Sequence, residues 1–298
     1  MLRFKSDIRS LVFMFITAAS LVLLWQFGSE MSTPLWILCY TVQLLMAVIV
    51  STMVHNHQHL PIWTVNWLNT FTDSFLTVFY GFPVFAWIPT HNSNHHVHIN
   101  KEPDYTKTYM YSEKNNLLTL LTYPSISGMN QQKAVGKYFL GLYKNNRRKF
   151  YAHLLQIIIL IAWITIALAI DWKKAVVYVI IPQQLSLFTV LIFNYIQHIH
   201  ADEESEFNHS RNMTGKVLNY LLLNNGLHTA HHITPGVHWS KLREKHDKIA
   251  HKIDPRLNED NFAWYLFRVY ILGLFSHSFQ TENMRLERMQ NLSSTSSN

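Results

Sequence analysis

Charge is scarce in this sequence. Asp, Glu, Lys and Arg make up 14% of the 298 residues, against 49% hydrophobic. A soluble globular domain carries roughly a quarter charged residues, so an ordinary soluble fold is excluded and a chain lying mostly in lipid is expected. Cysteine is scarcer still. Cys39 stands alone inside an apolar run, which excludes a disulfide framework and any CxxC metal or redox motif. There is no internal repeat, and no linker divides the chain into two soluble domains. The formal charge of +7 sits mostly in loops beside apolar runs, a pattern that suits anionic lipid and the positive-inside rule rather than nucleic acid.

What is present is a set of apolar runs at 11–27, 34–54, 150–170 and 175–195, read as four spans of about 30 Å of hydrocarbon at about 1.5 Å per residue. The first follows Arg3, Lys5 and Arg9 as a signal peptide would. No clear small-residue cleavage site follows it and a second span comes almost at once, so a retained helix is expected. GSEMSTP, between the first two runs, has no Lys or Arg and reads as external. The polar stretch 100–149 holds nine Lys or Arg, ends in RRK and reads as a cytoplasmic loop. DWKK, 171–174, reads as a short external turn, and Pro182 as a kink.

Phe71 to Pro89 is apolar but broken by Asp73, Gly81, Pro83 and Pro89, which predicts a re-entrant or interfacial segment. NFAWYLFRVYILGLFS, 261–276, suits a helix in the headgroup region, and 286–298 reads as a disordered tail. The expected fold is a single all-α integral membrane domain. It has four transmembrane helices, re-entrant or interfacial helices, and a cytosolic helical cap over about 90–149 and 196–285, with both termini cytoplasmic.

The anomaly is histidine: eighteen residues, as many as all acidic residues together. They gather in HNHQH (55–59), HNSNHHVH (91–98), NYIQHIH (194–200) and HTAHH (228–232). Two spans precede the first cluster, none separates it from the second, two lie between the second and the third and none follows. All four clusters therefore fall on one face. Helical spacing adds a second pattern: His55 and His59 are i,i+4, as are His91 and His95, with His96 adjacent, and His228, His231 and His232 are i, i+3, i+4. With His198 the set is nine.

Nine imidazoles converging without a metal would repel on protonation and waste polar burial. Imidazole suits iron, zinc and copper, and one metal takes three to five ligands, so nine imply two metals. The set lacks the cysteines of structural zinc sites, HExxH, and Glu-x-x-His pairs. His57, His98 and His200 lie off the shared faces and read as supporting groups, with metal ligation as the alternative. Asp104, Asp202 and Glu203 are acidic candidates for holding imidazole tautomers, and Asn194 is a water-mediated or supporting partner. His209, His238, His246, His251 and His277 read as solvated or locally bonded.

HNHQH, HNSNHH and HTAHH resemble the three histidine boxes of the membrane fatty acid desaturase superfamily, which also holds alkane and carotenoid hydroxylases. The resemblance runs from about His55 to His238. It implies two iron ions on the cytosolic face, O2 as co-substrate, attack on an unactivated C–H bond, and electrons from a separate carrier. The acyl substrate would be linked to lipid, CoA or a carrier protein. No cytochrome b5-like HPGG segment and no rubredoxin-like cysteine pairs occur. The donor is therefore expected to be another protein, such as a ferredoxin, a rubredoxin or cytochrome b5, docking on Lys101, Lys107, Arg147 and Arg148.

NYIQH is similar to the NYxEH element of the alkane hydroxylases, with Gln197 where they have Glu, whereas NNGLHTAHH looks more like a desaturase third box. The expected function is an acyl desaturase forming a double or triple bond. The alternatives are a di-iron hydroxylase of alkyl chains, lipids or carotenoids, and a metal-binding transporter or sensor. Against the last, the spans hold almost no charge, only uncharged groups such as Gln43, Gln156 and Gln183. A bacterial inner membrane is expected rather than an endoplasmic reticulum, and no nucleic-acid partner.

Overall fold

The computed structural model describes residues 1–296, and these are predominantly helical. The strands among them are two residues long: Asn212–Met213 runs parallel to Asn258–Glu259. Two compact units form, one from residues 1–89 and 133–190, the other from 90–132 and 191–298.

The first unit holds the membrane helices. Lys5–Phe27, Thr33–His59 and Arg147–Ile170 are long and apolar enough to span, and the fourth such helix, Trp172–His198, starts here. Each exceeds its apolar run because polar residues finish its ends; the box HNHQH is the last turn of the second span. Pro34 sits in the first turn of that helix, where a missing N–H is harmless. Asn146 caps the third span by accepting from Lys149 N, and Asp171 caps the fourth by accepting from Lys173 N and Lys174 N. DWKK is therefore a helix start and not a free turn.

The disturbance expected at Pro182 is a π-helical turn, Val176–Ile180. Proline offers no N–H to the carbonyl four residues earlier, and a buried carbonyl needs a donor. The second span supplies it: Gln43 Nε2 donates to Tyr178 O at 2.7 Å and Tyr40 OH to Val177 O at 3.0 Å. Trp36 Nε1 holds the Tyr178 hydroxyl at 2.8 Å.

The broken segment behaves as its glycine and prolines require. Asn66–Tyr80 ends at Gly81, whose φ of 83° is left-handed and where a Cβ would stand 2.6 Å from Gln183 Cβ. Two N–H groups freed in the turn are satisfied inside the unit. Phe85 N donates to Gln156 Oε1 at 3.2 Å, and Val84 N to Thr77 Oγ1 at 3.2 Å. Irregular backbone in an apolar bundle is tolerated on that condition.

The second unit is built on a core of Leu120, Tyr123, Tyr195, Ile196, Ile199, Met213, Tyr265, Val269 and Tyr270. The stretch read as a polar loop contains the helix Leu117–Asn145. Its first turns bury Thr119, Leu120, Tyr123 and Ser127, a narrow face that the surrounding charge hides in the sequence. Helix Phe262–Tyr270 is amphipathic as expected: Tyr265 and Val269 are buried, Trp264 and Phe267 exposed. Its Arg268 pairs with Glu259 at 2.6 Å.

The expected disordered tail is helical over Met284–Ser296, and residues 297–298 lie outside the described residues. Order there has a cause. Arg285 pairs with Glu113 and Glu203 at 2.6 and 3.0 Å, and Arg288 with Asp202 and Glu203 at 2.6 and 2.9 Å.

Candidate metal centre

In the second unit three segments carry histidines to one place. A π-helix, Ile88–His95, runs into the short helix His96–His98. The helix Ile181–His198 ends on His198, and His228–Ile233 carries the last box. The last is fixed by its own sequence: Thr229 N donates to Asn212 Oδ1 at 3.0 Å, and Thr229 Oγ1 meets Ser210 Oγ at 2.9 Å.

Two groups result. In one, His95, His198, His228 and His232 bring one nitrogen each within 4.8 Å of the others, and all four are buried. His228 Nε2 lies 2.9 Å from His198 Nε2 and 3.0 Å from His232 Nε2. In the other, His96 Nε2 lies 3.1 Å from His91 Nε2 and 3.0 Å from His231 Nε2. Hydrogen bonding satisfies only half of these contacts. A neutral imidazole nitrogen bears either a proton or a lone pair, so His228 Nε2 and His96 Nε2 can each serve one of their two neighbours. A shared cation serves both. Ligands about 2.1 Å from an ion and at right angles stand about 3 Å apart.

The surroundings fix the tautomers this requires. His95 is fully buried, and its Nδ1 lies 2.8 Å from Asp104 Oδ2 and 3.0 Å from Thr106 Oγ1. Its Nε2, turned to the other rings, has no hydrogen-bond partner among the described residues. Asp104 also accepts from Asn100 N, Thr106 N and Thr106 Oγ1 at 2.7–2.8 Å. Burial alone would raise its carboxyl; the charge and hydrogen bond of His95 and the two N–H groups outweigh this and hold it below the ordinary carboxylate range. His198 Nδ1 donates to the His209 carbonyl at 3.1 Å, leaving Nε2 for the cluster. Burial first, then the neighbouring imidazoles, hold His232 far below the ordinary histidine value, so it is neutral, as a ligand must be. An orphaned buried nitrogen, neutral imidazoles and a carboxylate behind one of them fit a metal ion.

In the first unit, the rings of His55 and His59 lie one turn apart, tilted, with centroids 4.9 Å apart, and His55 lies flat on Trp87 at 5.2 Å. His57 faces away: its Nδ1 accepts from Ile62 N at 3.2 Å and its Nε2 stands 3.5 Å from Asp73. That gives Asp73 its role in an apolar segment, together with the bond it accepts from Gln58 at 2.8 Å. His200 has both nitrogens engaged, Nδ1 with Thr281 and Nε2 with Glu113 O. His98 is half-buried and belongs to neither group.

Asp202 and Glu203 serve Arg285 and Arg288 and not an imidazole. Asn194 Nδ2 donates to Tyr123 OH at 2.7 Å and Thr106 O at 3.2 Å, bracing the segment that holds Asp104. Gln197 Nε2 donates to Asn225 O at 2.9 Å, a bond that an ionised Glu could not make. Lys101 and Lys107 are paired with Glu204 and Glu102.

His209 was read as solvated or locally bonded. It is 4% exposed, its ring is 5.4 Å from that of His232, and burial pushes it down to about 4. The signal that could have found it is its position eleven residues after His198, inside a segment that must fold back on that helix end. His238 and His246 are likewise buried, although His238 is locally bonded, to Ser240.

No curated protein and no solved structure matches the chain. The fatty acid desaturase family matches residues 31–264, which include all four histidine clusters. The chain belongs to that family, within the membrane desaturase and hydroxylase superfamily.

Proposed function

We propose that the protein is an O2-dependent di-iron acyl desaturase. Nine histidines hold the two irons, His55, His59, His91, His95, His96, His198, His228, His231 and His232, with His95, His198, His228 and His232 taking one of them. The carrying observation is His95, whose Nδ1 is clamped by an ionised Asp104 while its buried Nε2 has no hydrogen-bond partner among the described residues. A bound iron pair supplies the O2-derived oxidising power that an aliphatic C–H bond, lacking an acidic proton, demands.

The residues do the rest. Asp104 and the His209 carbonyl hold the Nδ1 protons, so that the Nε2 lone pairs stay fixed. Burial keeps His198 and His232 neutral, and the burial of His95, His198, His228 and His232 excludes water. The substrate is a long acyl chain, and electrons come from a separate carrier protein on the cytoplasmic side, where the basic loops and both termini lie under the positive-inside rule. The Gln197–Asn225 bond favours desaturation over hydroxylation, because it occupies the position where the alkane hydroxylases carry Glu.

Mass spectrometry of lipids and free fatty acids from expressing cells tests this against a His95→Ala control. Species lighter by two hydrogens, missing in the control, are expected. Species heavier by one oxygen would replace desaturase with hydroxylase. Purified protein should carry two irons, and zinc alone would refute the enzyme.

A further inference from the structure

The first unit holds a cavity of ≈ 20 Å³, lined among others by Thr17, Gln43, Ala47, Trp163 and Gln183. That is room for about one water-sized group. Gln43 is 4% exposed, and its side chain is fixed because Nε2 is committed to Tyr178 O at the π-turn. Its Oε1 is buried and has no hydrogen-bond partner among the described residues. An amide oxygen left bare in an apolar bundle is costly, since neither water nor another chain is there to satisfy it. The neighbouring polar side chains do not help. Gln183 Nε2 is committed to Val78 O at 2.7 Å and the Thr17 hydroxyl to Phe13 O at 2.7 Å. With no carboxylate in the lining, a cation would be uncompensated. The complement of this oxygen is a neutral donor of one heavy atom.

We infer that the cavity is a binding site for a single O–H group, which donates to Gln43 Oε1. Two sources share that chemistry. One is an enclosed water. The other is a hydroxyl at the far end of a long chain, because Gln43 precedes His55 by twelve residues on one helix, about 18 Å along its axis. The second source rests on the acyl reading above, and the first does not.

The first test is a density map of the purified full-length protein, fine enough to show ordered water, without substrate and again with an ω-hydroxy fatty acid. A peak within hydrogen-bond distance of Gln43 Oε1 in the substrate-free protein identifies water. A peak only after loading identifies the chain hydroxyl. No peak in either overturns the site.

A melting cycle over Ala47→Val, Gln43→Leu and the double variant is the second test. If an O–H group is bound, filling the cavity evicts it and lowers the melting temperature while Gln43 is present, but is harmless or stabilising once Gln43 is leucine. The same change in both backgrounds overturns the inference, as an empty cavity or simple overpacking would give. Neither readout needs iron or turnover, so failure here is distinct from failure of the desaturase reading.

Discussion

His95 Nδ1 and Asp104 Oδ2 stand 2.8 Å apart with neither side chain exposed to solvent. The carboxylate is itself anchored by two backbone N–H groups, so it holds the imidazole in one orientation and one tautomer. Asp104→Asn keeps the shape and loses the charge, and an amide can present its NH2 to Nδ1. Removing partners of this kind typically lowers metal affinity about 10–100-fold. Metal analysis after dialysis against a graded chelator should show one iron lost early while the other stays. Equal retention of both irons in wild type and variant would count against the carboxylate's role.

His200 and His57 sit within the boxes yet have their nitrogens committed to scaffold groups. His200→Ala should leave iron content unchanged and cost about 1–3 kcal/mol of stability through the stranded Glu113 carbonyl and Thr281. Iron content and thermal melting of the same preparation check both halves. Loss of a full iron would make His200 a ligand.

Gln197→Glu places carboxylate oxygens against the Asn225 carbonyl. Destabilisation of about 1–3 kcal/mol is expected, read by thermal melting at neutral pH. An unchanged melting temperature would mean that the amide is not making this bond in solution.

Arg211 is 1% exposed and lies 5.4 Å from the Tyr265 ring centroid, but its Nε and Nη1 have no hydrogen-bond partner among the described residues. A buried charge without a carboxylate is often improved by an apolar residue of similar volume. Arg211→Met should therefore melt at the same temperature as wild type or higher. A drop of several degrees would show that the guanidinium is held by something the protein carries in solution.

His246 packs into the second unit at 3% exposure, and burial, with Arg243 beside it, lowers its pKa. Protonation is then resisted in the folded state and not in the unfolded one. Its contribution to stability is complete above the ordinary histidine value near 6.5 and is lost as pH falls below it. His246→Leu should flatten the decline in melting temperature between roughly pH 6.5 and 5. An equally steep decline would remove His246 from the acid response.

The boxes were legible because imidazoles gathered on one helix face repeat at three and four residues. Asp104 could be picked out as an acid soon after the second box. The partner of His198 could not, since it is the main-chain carbonyl of His209 and any residue has one. Asp202 and Glu203 misled because they stand next to a box, while the arginines that claim them arrive more than eighty residues later. The helix Leu117–Asn145 was hidden for a related reason: its buried face is confined to its first turns, and the rest is polar enough to read as loop.

The π-turn at Val176–Ile180 amounts to one residue more than an α-helix would hold. The turn takes up that extra residue, so everything after it on the fourth span, Asn194 and His198 included, keeps the angular phase of a helix one residue shorter. The same residues wound as plain α-helix would carry His198 about 100° further around the axis and about 1.5 Å further along it. The His198 end of this helix is thus set from the opposite end, by how the backbone winds there.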